Sequence, residues 1–329
     1  MLGGTLALLA AAVFAFSNVS IRRGVLTGSV LQGLSITVPI GIPLFLAAAL
    51  IAGSLGAVER FTVSALANLC LAGFAHFVWG RYCNYRTINA IGANLAAPVQ
   101  QSSLLFSLVF AVWFLGEVLT SLRLVGIAFV VLGPAILLRA RRSQRGSGTG
   151  KSTTVFEPRF AEGYLFAVLS ALGYGASPIL IRAALQGADP GTSIAGGLVS
   201  YSAATVILVP VLLRRGSRRQ IFAVDRQAAR WFTTSGVFVC ASQMMRYVAL
   251  ALAPVTVVAP IMRISVVFRI LFGWFVNREH EVFDARIVVG VFLSLLGALA
   301  LTLDTELVLS LLPLPDWAAA AARRQWPAS

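Results

Sequence analysis

The chain has 329 residues, of which 58% are hydrophobic and only 12% are charged, and its net charge is +14. Soluble domains carry about 25% charged residues, so this composition excludes an ordinary soluble domain and indicates a protein that buries its apolar excess in lipid. The arginines lie between apolar runs and not on a polar face with interleaved aromatics, which argues against nucleic-acid binding.

Ten apolar runs are long enough to be membrane helices. A bilayer core of about 30 Å requires roughly 20 apolar residues per helix. We predict helices at residues 3–21, 30–54, 64–85, 90–115, 120–139, 163–183, 194–213, 231–249, 253–276 and 287–303. The sequence therefore predicts an all-α integral membrane protein with ten transmembrane helices.

The two halves of the chain resemble each other in sequence. At an offset of 162 positions, the matches are Tyr85 with Tyr247, Ala97-Pro98 with Ala259-Pro260, Ser103 with Ser265 and Glu117 with Glu279. Each half holds five predicted helices, and an odd-numbered unit repeated along one chain must enter the membrane in opposite orientations. Such inverted repeats are typical of secondary transporters, whose substrate site lies near the midplane between the halves.

The repeat also divides the chain into regions. We predict a first repeat at residues 1–140, a basic flexible linker at 141–161, a second repeat at 162–304 and a C-terminal tail at 305–329. The linker is rich in Arg, Ser and Gly, a composition that favours a solvated, flexible connection.

The linker contains "GSGTGKST" at residues 146–153, which is similar to a nucleotide-binding P-loop. A P-loop requires a glycine five positions before the Gly-Lys pair, between a strand and a helix. That position is Arg145, and the preceding segment is a predicted membrane helix. We therefore interpret the stretch as linker and expect no nucleotide to bind.

Two segments carry a resemblance to a known family. "NLAAPVQQSSLLFSLVFAVWFLGEVLTSLRLVGIAFVVLG" and "TVVAPIMRISVVFRILFGWFVNREHEVFDARIVVGVFLSLLG" both resemble the EamA-type repeat of the drug/metabolite transporter superfamily. Tyr174-Gly175-Ala176-Ser177 is similar to that family's aromatic-Gly-Ser pattern, while Phe14-Ala15-Phe16-Ser17 lacks the glycine. The resemblance implies a ten-helix basket around a central cavity, and transport of metabolites or drugs without ATP.

Arginines occur inside the predicted helices, where isolated charges are costly and usually face a cavity or a partner. Arg263 has Gln101 as its repeat partner, and Arg246 precedes Tyr247 as Asn84 precedes Tyr85. Since an arginine fork suits carboxylate or phosphate oxygens, we predict a substrate site. Its candidate residues are Arg263, Arg246, Arg81, Gln101, Gln100, Gln243, Tyr85, Tyr247 and Asn18.

Other roles remain open for these residues. Arg81 and Arg246 could lie near an interface. Arg269, a further arginine inside a predicted helix, could extend its side chain to the interface. The glutamines could join helices to one another, and the two tyrosines could be packing residues.

The acidic residues have a different distribution. All twelve fall at predicted helix ends, in loops or in the tail, so the cavity offers no carboxylate to neutralise a cationic drug. We therefore expect an anionic or zwitterionic solute. Glu117 and Glu279 are expected to be structural caps at helix ends.

His76 is the only histidine in a predicted helix. Because an unperturbed imidazole titrates near pH 6.5, it could couple transport to protons, although a packing role is the alternative. Pro98 and Pro260 lie inside predicted helices and are expected to act as hinges, because proline frees backbone carbonyls.

The combined features favour a secondary transporter that works by alternating access. The alternatives are a translocase for lipid-linked phosphate or sugar carriers and, with less support, an integral-membrane enzyme, for which no catalytic cluster is seen. We expect no cofactor and no metal site, since the three cysteines have no ligand spacing. The expected partners are a small-molecule substrate and the lipid bilayer, and a homodimer remains open.

Loop charge predicts the orientation. The linker and the loop at 214–230 both follow odd-numbered helices and are rich in arginine, which favours the cytoplasmic side. We therefore expect a multi-pass protein of the inner (cell) membrane of a bacterium, with both termini outside.

Overall fold

The computed structural model describes residues 2–106, 158–185, 188–252, 261–281, 285–302 and 315–323, with residues 110, 119–120, 125, 128–129, 132 and 325–326. In these residues the α-helices are α1 (Leu2–Thr27), α2 (Val30–Thr37), α3 (Gly41–Ile51), α4 (Val63–Gly73), α5 (Arg81–Gln100), α6 (Phe160–Leu185), α7 (Pro190–Leu213), α8 (Arg215–Phe222), α9 (Arg226–Leu252), α10 (Ser265–Asn277), α11 (Ala285–Thr302) and α12 (Asp316–Arg323).

Shorter elements complete the described chain. A π-helix at Phe74–Gly80 joins α4 to α5, and 3₁₀ turns lie at Leu55–Arg60 and Arg278–His280. Two-residue strands, β1 (Leu119–Thr120) and β2 (Gln325–Trp326), pair antiparallel. Thr120 therefore lies in β1 and not at the start of a helix. The rest of the predicted fifth helix is mostly outside the described residues, as is most of the linker.

Several described helices are suited to a bilayer by length and apolarity. They are the stretches Gly3–Thr27, Val30–Ile51, Val63–Ala97, Phe160–Leu185 and Pro190–Leu213. The predicted helices 3–21, 163–183, 194–213, 231–249 and 287–303 agree with described helices to within six residues at either end. Two regions in the first half differ, and most of 120–139 and the start of 253–276 lie outside the described residues.

The first difference is in the predicted helix 30–54, which the structure divides into α2 and α3. Pro39 lies in the break, and proline has no N–H to donate to a helical hydrogen bond. The first turn of α2 is fixed by Ser29 and Gln32, whose side chains each accept from the other's backbone N–H. The second membrane run is therefore a broken helix.

The second difference is a turn inside α5. Gly92 has φ +80° and ψ 166°, a conformation that is essentially restricted to glycine. Asn84 and Gln100, eight residues before and after it, are hydrogen bonded to each other, although in a straight helix they would be about 24 Å apart. The chain thus reverses at Gly92, and the predicted boundaries at 85 and 90 were wrong.

Helices α1 and α9 run antiparallel in close contact. The Ser17 hydroxyl lies 2.9 Å from the Ser235 hydroxyl, and the Ser242 hydroxyl donates to the Ala10 carbonyl at 2.8 Å. Small residues allow this approach, and hydroxyls can bond across helices in a membrane. This pair joins the first half of the chain to the second.

Helix ends and connecting segments from both halves meet at one end of the molecule. The contacts are Asn89 Nδ2 to Val25 O (3.3 Å), Arg159 N to Ala90 O (2.7 Å) and Gln32 Nε2 to Gln220 O (2.6 Å). At the opposite end, Gly191 packs against Ser54. We call the end at which these three hydrogen bonds lie the Gly92 end, because the turn at Gly92 is located there. Its segments are those that follow the first, third, fifth and seventh predicted helices.

Candidate functional site

His76 lies in the π-helix between α4 and α5. Such elements occur mostly as single turns within α-helices, and they are frequent at functional sites. Its Nε2 is 3.3 Å from the amide nitrogen of Gln243, which is buried in α9. The Gln243 carbonyl oxygen in turn accepts from Arg246 Nη1 at 3.2 Å. We call His76, Gln243 and Arg246 the His76 cluster.

The contact with Arg246 determines which way the Gln243 amide points. A guanidinium can only donate, so the amide oxygen faces Arg246 and the amide NH₂ faces His76. His76 Nε2 must therefore be the acceptor, which places the proton of a neutral imidazole on Nδ1. That Nδ1 is buried and has no hydrogen-bond partner among the described residues.

Arg263 lies near this cluster, just before α10. It is half-buried, and its Nη1 donates to the Ser103 hydroxyl at 3.3 Å. Its Nε has no partner in the described part of the chain. Arg246 and Arg263 are close enough to interact electrostatically, and neither forms an ion pair with a described carboxylate. Two positive charges thus share one region without a fixed anion among the described residues.

A second polar group joins α1, both arms of α5 and α10. Asn84 Nδ2 donates to Asn18 Oδ1 at 3.0 Å, and the Gln100 amide donates to Asn84 Oδ1. Arg269 Nη1 donates to Gln100 Oε1 at 2.7 Å. We call these four residues the Asn84 cluster. Arg269 is 3% exposed, so the expectation that it might extend to the interface was wrong.

The two clusters lie at different depths. Ser242 contacts the carbonyl of Ala10, so Arg246 lies about one turn further from the Gly92 end. Asn18, which belongs to the Asn84 cluster, is about 12 Å along α1 from Ala10 and lies toward the Gly92 end. The predicted site residues are therefore not brought to a single point.

Tyr174 of α6 lies between the clusters. Its ring is 4.6 Å from the His76 ring, and its hydroxyl interacts with the Asn84 side chain. It belongs to the motif that resembles the EamA pattern, but it was not among the residues predicted for the site.

Arg81 is held by protein groups. It is 2% exposed and donates to the Thr37 carbonyl at 2.8 Å and to the Tyr201 hydroxyl at 3.0 Å. The Tyr85 hydroxyl donates to Thr37 Oγ1 at 2.9 Å. The Arg81 guanidinium also lies 5.0 Å from the centre of the Phe77 ring. This group joins α2, α5 and α7, and the substrate-binding role of Arg81 and Tyr85 stays a prediction.

The other predicted residues have varied positions. Tyr247 is buried with its ring 6.2 Å from that of Phe45, and Gln101 is also buried. Glu279 is exposed in the 3₁₀ turn after α10. Pro98 lies within α5, while Pro260 and Glu117 fall outside the described residues. The hinge and cap roles therefore stay predictions.

The sequence did not single out a buried ion pair at the Gly92 end. Glu281, one of the acidic residues expected at helix ends, in loops or in the tail, lies in a loop but is only 1% exposed. Its carboxylate accepts from the backbone N–H groups of Ala93 (2.6 Å) and Asn94 (3.0 Å) and lies 3.8 Å from Arg22. It thus caps the helix that starts after Gly92, where negative charge is favoured.

Arg22 caps the opposite arm of the same turn. It donates to the carbonyls of Ile88 (3.1 Å) and Asn89 (3.3 Å), where that arm ends, and to His280 O at 2.7 Å. A cation is favoured at a helix C-terminus. Arg22 and Glu281 together, which we call the Gly92 clamp, tie α1 and the loop after α10 to the turn.

Comparisons with known proteins find similarity in both halves of the chain. A model of the "EamA-like transporter family" matches twice, at residues 1–139 and 161–303. No curated protein matches the chain by sequence. A solved crystal structure with 17% sequence identity has the same fold, with a TM-score of 0.56 over 90% of this chain and 95% of that one. The family match and the apolar helices together identify a multi-pass membrane protein, and the chain belongs to the EamA-like transporter family.

Proposed function

We propose that the chain is a secondary transporter that moves a small anionic or zwitterionic metabolite by alternating access, without ATP. Its proposed architecture is ten transmembrane helices in two inverted five-helix repeats. The two separate family matches support this organisation, as does the meeting of segments from both halves at the Gly92 end.

The observation that carries the proposed substrate class is the pair Arg246 and Arg263. Both side chains are half-buried within the helices and interact with each other electrostatically. Their described partners are a neutral amide and a hydroxyl, and Arg263 Nε is unpaired among the described residues. A buried charge without a counterion is costly, so an arriving carboxylate or phosphate would offset that cost.

The His76 cluster provides a route for proton coupling. If His76 Nε2 takes up a proton, it becomes a donor and needs an acceptor. The Gln243 amide must then rotate to present its oxygen, which leaves its NH₂ group facing the donor Arg246. Protonation of His76 thereby frees Arg246 to bind an anion, so the proton and the anion bind together.

The Gly92 clamp serves as the gate at its end of the molecule. It buries a charged pair where α1, α5 and the loop after α10 meet, so access from that end requires these segments to separate. We place this end in the cytoplasm of a bacterial inner membrane, because the arginine-rich loop at 214–230 lies there.

Counterflow in proteoliposomes tests the proposed function. Vesicles preloaded with unlabelled organic acids, phosphate esters, amino acids or organic cations are assayed for accumulation of a labelled member of each class. Accumulation of an anionic or zwitterionic solute supports the proposal. Accumulation only of organic cations contradicts it, and movement only of lipid-linked phosphates favours the translocase alternative.

The coupling route is tested by the pH dependence of the apparent affinity for the transported anion. In the wild type this affinity should rise as the pH falls through the titration of His76. The substitutions His76→Asn and Gln243→Met should each flatten that dependence, whereas Arg60→Gln, at an exposed site in a 3₁₀ turn, should preserve it. Unchanged pH dependence in both test variants contradicts the route.

A further inference from the structure

Helix α8 lies at the end of an apolar span. It follows the apolar span Pro190–Leu213 directly and precedes α9. Gln32 at the start of α2 donates to the Gln220 carbonyl at 2.6 Å, which anchors α8 at the Gly92 end. Phe222 at its C-terminus is 80% exposed. An arginine-rich helix with an exposed aromatic side chain is typical of a segment that lies in the bilayer interface.

The same region presents an excess of positive charge. Five exposed arginines, which we call the basic face, lie on and beside α8 and at the start of α9: Arg214, Arg218, Arg219, Arg226 and Arg230. In the described part of the chain, none of them has an ion pair. The nearby carboxylate of Asp225 accepts from the N–H groups of Gln227 (3.0 Å) and Ala228 (3.4 Å) and thus caps α9.

An open cavity lies against the α9 side of this face. It has a volume of about 630 Å³ and is lined by Asp225, Arg226, Gln227, Arg230, Trp231 and Thr234. It combines two guanidinium groups with an indole ring. Arginines bind phosphate oxygens in a planar, two-point geometry, and tryptophan favours the level of the lipid headgroups.

We propose that the basic face is a binding site for anionic phospholipid, with the headgroup phosphate held between Arg226 and Arg230 in this cavity. The exposed Phe222 and the adjacent apolar span favour a lipid over a free anion, since a soluble phosphate would gain nothing from them. The site is separate from the proposed transport site, which lies toward the opposite end of α9.

Native mass spectrometry of the full chain in an uncharged detergent tests the site. The protein is titrated with phosphatidylglycerol or phosphatidylcholine, and the bound fractions are compared. Phosphatidylglycerol should bind more tightly. Because each arginine near an anionic lipid surface contributes about fivefold, the double variant Arg226→Gln/Arg230→Gln should weaken this binding about 30-fold.

The control is Arg60→Gln/Arg182→Gln, which removes two exposed arginines elsewhere and should bind like the wild type. Equal thermal unfolding midpoints in lipid-free detergent should show that all variants are folded. Equal affinity for the two lipids overturns the proposal, as does full phosphatidylglycerol binding by the double variant. Displacement of the lipid by millimolar inorganic phosphate also overturns it, because the site would then belong to a soluble anion.

Discussion

The Gly92 clamp gives the most direct test of how the fold is held together. The substitution Glu281→Gln keeps the shape of the side chain but removes its charge. One backbone N–H, that of Ala93 or Asn94, can still donate to the amide oxygen, while the other would face the amide NH₂. Arg22, at 1% exposure, would lose its anionic neighbour.

The size of the effect follows from these contacts. Breaking a buried ion pair by removing one partner costs about 3–5 kcal/mol. Arg22 keeps its backbone carbonyl acceptors, which favours the lower end of that range. An unpaired buried N–H adds about 1–3 kcal/mol. We therefore expect Glu281→Gln to lower the free energy of unfolding by about 4–6 kcal/mol.

The assay is reversible unfolding in mixed micelles by titration with a denaturing detergent. Glu279→Gln is a matched control, because this residue lies two positions away and is exposed; it should change the free energy of unfolding by less than about 0.5 kcal/mol. If Glu281→Gln proves as mild as Glu279→Gln, the clamp does not stabilise the turn.

Three further predictions follow from the turn, the linker and the loop charges. Gly92→Ala should destabilise the protein by about 3 kcal/mol or more, because a φ of +80° is strained for alanine and the new Cβ would lie 2.6 Å from a Glu281 oxygen. An unfolding midpoint equal to that of the wild type would contradict this prediction. Lys151→Ala should leave transport intact and ATP should not raise the unfolding temperature, so ATP binding that this substitution abolishes would overturn the linker interpretation. A reporter at the C-terminus should be active outside the cytoplasm, and activity only inside would refute the orientation taken from the 214–230 loop.

Much of the helical architecture could be predicted from hydropathy alone, because the length of an apolar run is set by the bilayer. A break between the third and fourth helices was predicted at residues 86–89, but its position at Gly92 could not be predicted. Its stabilising carboxylate, Glu281, lies 188 positions after Ala93 in the chain, and a loop glutamate gives no local sign that it is buried. Helix α8 was interpreted as a loop because it is arginine-rich, although arginines at 215, 218 and 219 beside Ile221 and Phe222 follow an amphipathic pattern.

The candidate site was predictable in composition but not in arrangement. Buried cations and amides are visible in the sequence as polar residues within apolar runs. Their hydrogen-bond partners depend on how the helices pack. Arg81 finds its acceptors in α2 and α7, whereas Arg263 keeps an unpaired Nε among the described residues. The division into two clusters likewise depends on the antiparallel register of α1 and α9.

The claim that a guanidinium binds the transported anion is tested most directly by uptake in proteoliposomes with Arg263→Gln. Loss of one partner of a buried charged contact costs about 2 kcal/mol or more, so uptake of an anionic solute well below its KM should fall about 30-fold. Arg263→Lys should recover little, since an ammonium lacks the planar two-point geometry, and the exposed Arg60→Gln should transport like the wild type. We expect this loss in folded, monodisperse protein; normal anion uptake by Arg263→Gln would show that the Arg263 guanidinium does not bind the anion.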